Sequence, residues 1–157
     1  MLYRHIVLLV VLLATASLPC FGREMPRFSS VRLTRGSCEG GCPSYSVEIH
    51  RDGAVIFDGP KGKQPGQLSP ADMRLLSSAL GWIKSASLPS NFYDQITACS
   101  DDVKDLQRSF VDVANGSTSY RLPYNAACKG ITGESKVGWL ADTIDEVAGT
   151  EKWLSIP

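Results

Sequence analysis

The chain has 157 residues, of which 43% are apolar, and this length and composition are typical of one globular domain. Its 16 basic residues balance its 16 acidic residues, so it offers neither a basic stripe to bind phosphates nor an acidic tail. The balance argues against nucleic acid as a partner.

The first 22 residues have the order of features that is typical of a secretory signal peptide. A short positive region is followed by nine apolar residues, 6–14, and then by an A-x-A cleavage pattern at Ala14-Thr15-Ala16. The apolar run is less than half of the ~20 residues that a membrane-spanning helix needs. We therefore assign residues 1–22 to a secretory signal peptide and expect cleavage either after Ala16 or near Gly22. The mature chain, without a transmembrane segment, is then periplasmic or secreted.

Cys20 offers an alternative, a lipid-anchored N-terminus, although Pro19 stands where the lipoprotein signal has a small residue. After the signal peptide, residues 23–30 are predicted to be a linker and residues 31–157 a single domain. Cleavage near Gly22 leaves four cysteines, which are Cys38, Cys42, Cys99 and Cys128. An even number of cysteines in a small exported domain indicates two disulfides, with three possible connectivities.

The first part of the domain has the alternating pattern of antiparallel strands. Residues 31–35 alternate apolar and polar side chains, and Tyr45, Val47 and Ile49 share one face of a second strand. Between these strands, two glycines in the Cys38–Cys42 loop allow a tight return of the chain. Asp52-Gly53 then predicts a hairpin turn.

Two registers are possible for this hairpin, and side-chain polarity distinguishes them. A two-residue loop would place Asp58 opposite Val47 on the apolar face. A three-residue loop, with Gly53 as the left-handed bulge residue, pairs Ile49 with Val55 and Val47 with Phe57. We therefore predict the bulged hairpin.

Residues 59–68 contain three glycines and two prolines and are predicted to form a loop. A helix is predicted next, with Ser69 as its cap, Pro70 in its first turn and an end near Ser85. Its apolar stripe has a spacing of three to four residues. The residues of the stripe are Met73, Leu76, Leu80 and Ile83.

The second half of the chain repeats the order of strands and helix. Residues 91–93 are predicted to be an aromatic anchor in a connecting segment, and residues 100–105 a polar loop. A second hairpin follows, and a two-residue loop at Asn115-Gly116 predicts the pairs Val113–Thr118 and Val111–Tyr120. The last helix has apolar positions between residues 137 and 148, with Gly149 as its C-cap. Trp153 and Leu154 are expected to fold back onto the core.

These elements predict an α+β domain, in which an antiparallel sheet of about five strands, including two β-hairpins, has two helices packed on one face.

The sequence resembles a bacterial family of exported proteins known as the domain of unknown function numbered 6438. The resemblance covers essentially the whole mature chain, and it implies export and architecture without implying an activity. Asp101-Asp102 departs from it, because a threonine-aspartate pair is expected there. The resemblance is carried by Leu33-Thr34-Arg35, by the Cys-x-Gly-x-Cys-Pro-x-Tyr motif (Cys38, Gly40, Cys42, Pro43, Tyr45), by Asp52-Gly53, by Cys99 and Cys128, by Ile144-Asp145 and by Trp153.

Cys38 and Cys42 are the sharpest candidates for chemistry. Their spacing, with the following proline, resembles that of the Sco copper-chaperone family, which implies a distant histidine ligand. Pro43 leads into a strand, however, whereas reactive thiols commonly lie at a helix N-terminus or near a cation. His50 is eight residues along that strand, roughly 26 Å from Cys42 at ~3.3 Å per residue. A structural disulfide is therefore preferred to thiol-redox or copper-handling chemistry.

The other two cysteines bracket the second hairpin. A Cys99–Cys128 bridge would tie its two outer ends together. The rival arrangement is a zinc site formed by all four cysteines, which an oxidising compartment disfavours.

The remaining acidic clusters have simpler explanations as solvated surface. Residues 101–105 lack the glycine and terminal glutamate of a calcium loop. Asp142, Asp145 and Glu146 are predicted to lie on the solvated side of the last helix. No common catalytic or phosphate-binding motif is present, and no cofactor is implied. The sequence thus favours an exported, non-enzymatic, disulfide-stabilised module that binds an unidentified protein or envelope component.

Overall fold

The computed structural model of the protein describes residues 28–85, 88–103 and 106–154, with Ser85 described by its backbone alone. The predicted signal peptide, both of its cleavage sites and Cys20 lie outside these residues, as does Asp105. Phe28 is buried in the core, and Ser30 opens the first strand, so the described fold already includes the end of the segment 23–30.

The fold is α+β, with an open antiparallel sheet of six strands. The order across the sheet is β4-β3-β2-β1-β5-β6, so the first strand of the chain lies in the interior of the sheet. The strands are β1 (Ser30–Arg35), β2 (Tyr45–His50), β3 (Ala54–Gly59), β4 (Gly62–Gln67), β5 (Arg108–Asn115) and β6 (Thr118–Asn125).

The first hairpin has the predicted bulged register. Ile49 lies opposite Val55, and Val47 lies opposite Phe57. Gly53 has a φ of +84°, and its N–H donates to the carbonyl of His50 at 2.9 Å. The left-handed conformation is the one that this bulge position requires, and glycine adopts it without steric cost.

The prediction of a loop over residues 59–68 is wrong, because β4 pairs with β3 from Gly62 to Gln67. This strand is the difference between the predicted five strands and the observed six. β4 lies at the edge of the sheet, where a proline such as Pro65 can be accommodated without loss of a ladder hydrogen bond. Glycine and proline therefore did not exclude a strand here.

The second hairpin exists, but its predicted register is wrong by two residues. Val113 lies opposite Tyr120 and Val111 opposite Leu122, and the turn residues are Gly116 and Ser117. Gly116 has a φ of +61°, which fits a turn whose first central residue is glycine. A shift of two residues keeps every side chain on its own face, so alternation alone could not distinguish the two registers.

In the part of the chain that the structure describes, four helices accompany the sheet. They are α1 (Pro70–Ser85), α2 (Phe92–Asp102), α3 (Glu134–Ala148) and the short α4 (Glu151–Leu154). α3 crosses the sheet over β1, β2, β5 and β6, and α1 packs beside it. Two predicted helices are thus confirmed on one face. Among the described residues, no helix combines the length and apolar character needed to cross a membrane.

The ends of the two main helices follow from local sequence. Ser69 and Asp72 cap α1 reciprocally, because the N–H of Asp72 donates to Ser69 Oγ at 3.2 Å and the N–H of Ser69 to Asp72 Oδ2 at 3.3 Å. Gly149 ends α3 with a φ of +64°. The N–H groups of Gly149 and Thr150 then bond back to the carbonyls of Glu146 and Asp145.

α2 replaces two segments that were predicted to be irregular. Phe92 opens this helix and is buried, and the helix continues to Asp102, through part of the predicted polar loop 100–105. Only three residues of α2 are buried, namely Phe92, Ile96 and Ser100. So narrow an apolar stripe is a weak signal for a helix in the sequence.

The core lies between the sheet and α1 and α3. Two rows of apolar side chains cross the inner face of the sheet, at Val31 and Leu33 on β1 and at their cross-strand neighbours. Trp153 folds back onto the core as predicted, and its ring stacks on that of Phe57 with the two ring centres 4.9 Å apart. The third row, at the end of the sheet nearest the Cys38–Cys42 loop, is polar.

Candidate functional site

The polar row consists of neighbours across three central strands. Arg35 ends β1 and lies opposite Tyr45 of β2 on one side and Ser109 of β5 on the other. All three residues are buried by the fold. Their alternation places them on the same inner face as Leu33, so the row faces α3 rather than solvent.

Asp145 of α3 is the ionic partner of Arg35. Nη2 and Nε of Arg35 donate to Asp145 Oδ2 at 2.8 Å and 3.1 Å, and Nη2 also reaches Asp142 Oδ1 at 3.0 Å. The Asp145 side chain is 19% exposed, whereas that of Asp142 is 71% exposed. The prediction of a solvated helix face is therefore wrong for Asp145. No pattern within the helix could show this, because the partner is 110 residues away in the chain.

Two hydroxyl groups complete the shell around Asp145. The hydroxyl of Tyr45 donates to Asp145 Oδ1 at 2.9 Å, and that of Thr150 donates to the same oxygen at 3.0 Å. Both carboxylate oxygens thus accept two hydrogen bonds, which saturates the acceptor capacity of the group. We name Arg35, Tyr45, Asp145 and Thr150 the buried polar cluster.

Electrostatics within the buried polar cluster stabilise the neutral form of Tyr45 and the charged form of Arg35. Burial raises the pKa of Tyr45 to about 12, and the Asp145 carboxylate adds to this increase by its charge and its hydrogen bond. Burial alone would lower the pKa of Arg35, but the charge of Asp145 and hydrogen bonds from Asp145 and Asp142 raise it overall. A neutral tyrosine, a charged arginine and a saturated carboxylate form a structural tie between sheet and helix, with little capacity for acid–base catalysis.

Three segments that carry the family resemblance meet in the buried polar cluster. Arg35 comes from Leu33-Thr34-Arg35, Tyr45 from the cysteine motif, and Asp145 from Ile144-Asp145. Sequence reasoning singled out each segment but did not bring the three together. To bring them together, one must know the register between β1 and β2, which places Arg35 beside Tyr45 and below α3.

Cys38 and Cys42 lie in the exposed loop between Arg35 and Tyr45. Their Cα atoms are 5.2 Å apart, and their sulfurs are at disulfide-bonding distance. The N–H of Cys42 also donates to Sγ of Cys38 at 3.1 Å. Nε2 of Gln107 holds the two arms of the loop together by donating to the carbonyls of Gly36 and Pro43, at 2.7 Å and 2.8 Å.

Cys99 and Cys128 form the other close pair. Their Cα atoms are 5.8 Å apart, and their sulfurs are likewise at disulfide-bonding distance. Cys128 is 1% exposed and follows β6, whereas Cys99 lies near the end of α2. The pair joins α2 to the outer hairpin.

The other predicted ligand sets are not assembled. His50 ends β2 at the opposite end from Tyr45, and its Nε2 lies 3.8 Å from Glu48 Oε1. Asp101 pairs with Arg108 at 3.1 Å. Within residues 28–85, 88–103 and 106–154, no three His, Cys, Asp or Glu side chains are grouped so as to hold a metal ion. The four-cysteine zinc arrangement is therefore not the one observed.

Two tryptophans are exposed on the outer surface of the helical layer. Trp82 of α1 is 46% exposed and Trp139 of α3 is 44% exposed, and their rings meet edge to face at 5.1 Å. Nζ of Lys136 lies 5.6 Å from the centre of the Trp82 ring. Leu75, two turns before Trp82 on α1, is 41% exposed. We name Leu75, Trp82 and Trp139 the tryptophan surface.

Sequence reasoning missed the tryptophan surface, although a signal was present. Trp82 falls outside the stripe of Met73, Leu76, Leu80 and Ile83, and thus occupies a position where a helix normally presents a polar residue to water.

Comparison with known proteins gives a family and no activity. No curated protein matches the chain. Residues 29–148 match the family described as Domain of unknown function (DUF6438), and this match spans every strand and the first three helices. The chain therefore belongs to the DUF6438 family.

Proposed function

We propose that this protein is an exported binding module, periplasmic or secreted, which recognises a protein or envelope component through the tryptophan surface. The observation that carries the proposal is the pair Trp82 and Trp139, two large aromatic side chains in mutual contact and almost half exposed. Exposed apolar patches commonly mark interaction sites, and tryptophan is enriched among residues that dominate binding energy.

The buried polar cluster supports a binding role over a catalytic one. Asp145 is the most enclosed carboxylate of the site, and its hydrogen-bonding capacity is used within the fold. The cysteines fit export in the same way, because two pairs at bonding distance suit an oxidising compartment. We propose that both pairs are structural disulfides in the mature protein.

The test is capture from an envelope fraction by the tagged mature chain. The double variant Trp82→Ala/Trp139→Ala should lose the captured component, because a partner seated on both rings loses its main apolar contact. Tyr93→Ala is the matched control, since Tyr93 of α2 is equally exposed at 46%. Equal capture by the tryptophan variant and the control, with unchanged melting temperatures, would refute the proposed surface.

A second candidate function is thiol-redox or copper handling by Cys38 and Cys42. The observation in its favour is the N–H of Cys42, which lies 3.1 Å from Sγ of Cys38 and would stabilise a thiolate there. Thiol titration and intact mass separate the two functions. The binding module should have no free thiols in its mature form, whereas reversible reduction of this pair at mild potential, or one retained copper equivalent, would establish the second function.

A further inference from the structure

A cavity of about 570 Å³ opens between the second half of α1 and the turn end of the β5–β6 hairpin. Phe28, at the entry to β1, closes one side. Cavities that bind small molecules have volumes of roughly 300–1,000 Å³, so this one is large enough for a ligand. It is separate from the buried polar cluster, which lies at the opposite end of the central strands.

The floor of this cavity is apolar. Its side chains belong to the core, and each is at most 7% exposed. A ligand seated there must bring an apolar surface, because a polar group would lose its water without gaining a hydrogen bond. The floor is formed by Phe28, Leu80, Ile83, Val113 and Leu122.

The mouth of the cavity is polar and positive. Lys84 is the one charged side chain among the described lining residues, and Thr118 and Tyr120 provide hydroxyl groups. Lys84 also suits the negative end of the α1 dipole, so it would favour the helix even in the absence of a ligand. Its position at the rim of an apolar pocket still favours a ligand with an anion at one end and an apolar body at the other.

From this combination we propose that the cavity binds a single-chain anionic amphiphile, such as a fatty acid carboxylate. The hydrocarbon tail covers the apolar floor, and the carboxylate lies at the mouth beside Lys84. This site is independent of the tryptophan surface, so either proposal can fail without the other.

The first experiment is titration calorimetry of the mature protein with saturated carboxylates of increasing length, from hexanoate to dodecanoate, below their micellar concentrations. Affinity should rise by up to about fourfold with each methylene group until the floor is covered. An affinity that is flat across the series, or no binding by dodecanoate, overturns the proposal.

The second experiment tests the orientation of the ligand. Lys84→Gln should weaken dodecanoate binding by up to about fivefold, as expected for an exposed ion pair, and should leave binding of dodecanol unchanged. Lys129→Gln, an exposed lysine outside the lining, is the matched control and should change neither. Equal affinities of wild type and Lys84→Gln for dodecanoate refute the placement of the carboxylate.

The third experiment locates the ligand. Thr118 is exposed at the mouth, so Thr118→Trp should narrow the entrance without disturbing the core, and it should reduce binding of both probes. In methyl NMR spectra, dodecanoate should shift Leu80, Val113 and Leu122. Shifts confined to Leu75, or full binding by a folded Thr118→Trp variant, would place the ligand elsewhere and overturn the site.

Discussion

At the residue scale, we expect Asp145 to contribute most to stability within the buried polar cluster, because it neutralises the buried charge of Arg35. Asp145→Asn keeps the shape of the side chain and does not touch the hydrogen bond from Arg35 to Ser109. Among the described residues, it leaves the exposed Asp142 as the one ionic partner of Arg35. Removing one partner of a buried ion pair costs about 3 kcal/mol or more, since the remaining charge is uncompensated. The melting temperature should fall by roughly 10 °C, as measured by thermal unfolding.

Asp142→Asn is the matched control for that variant. It removes a carboxylate from the same arginine, but at a side chain that is 71% exposed. Such a contact contributes at most about 1 kcal/mol, so the melting temperature should change by only a few degrees. Equal losses in the two variants would show that burial of Asp145 is not what makes it important.

Through Tyr45 of the buried polar cluster, the stability of the protein should depend on pH. Because burial and the Asp145 carboxylate raise the pKa of Tyr45 to about 12, the folded protein retains this proton at a pH where the unfolded chain releases it. The stabilisation is fully present below the unfolded pKa of about 10 and is lost as pH rises towards 12. Stability should therefore decline across this interval through Tyr45.

The variant Tyr45→Phe isolates that contribution. Its stability deficit relative to wild type, measured by denaturant unfolding, should be constant below pH 10 and should shrink between pH 10 and 12. The other tyrosines titrate in both proteins and cancel in the difference. A deficit that does not change with pH would mean that the hydroxyl is not held as the structure places it.

At the element scale, the two cysteine pairs should differ in their effect on stability. In the chain-entropy description, a disulfide stabilises more when it closes a longer loop. The sequence separation is 29 residues for Cys99–Cys128 and 4 for Cys38–Cys42. Replacing both cysteines of a pair by alanine should therefore cost about 3.5 kcal/mol for the former and about 2 kcal/mol for the latter.

Thermal unfolding of the two double variants measures this difference. The variant without Cys99 and Cys128 should also release α2 from the outer hairpin, which hydrogen exchange of α2 amides would detect. An unchanged melting temperature in that variant would show that these sulfurs are not bridged in the mature protein.

The elements also differ in how much of their structure could be predicted from the sequence. The register of the first hairpin was readable because its wrong alternative placed Asp58 on the apolar face. The register of the second hairpin could not be predicted in this way, because both alternatives place each side chain on the same face of the sheet. β4 was not predicted because Pro65 and the glycines of this segment indicate a loop, although an edge strand tolerates them. The pairing of Arg35 with Asp145 could not be predicted either, because it requires knowledge of the strand order.

At the scale of the whole molecule, stability should be graded across the sheet. β1 is hydrogen-bonded on both sides, whereas β4 is an edge strand in which every residue is exposed or half-buried. Amides of β1 should exchange only through global unfolding, and those of β4 through local opening. Native-state hydrogen exchange measures this order, and equal protection of the two strands would contradict it.

The interior position of β1 has a consequence for how the chain is made. A chain that emerges N-terminus first can pair β1 with β2 at once, but β5 begins only at Arg108. Until then, the strand that ends up inside the sheet is an edge, and its exposed N–H and C=O groups can pair with another chain. The hazard ends when β5 arrives, and only afterwards does Cys128 reach Cys99. We therefore expect correct folding to require that the second half of the chain follows the first without delay. The folded structure does not show this requirement, because β1 is by then paired on both sides.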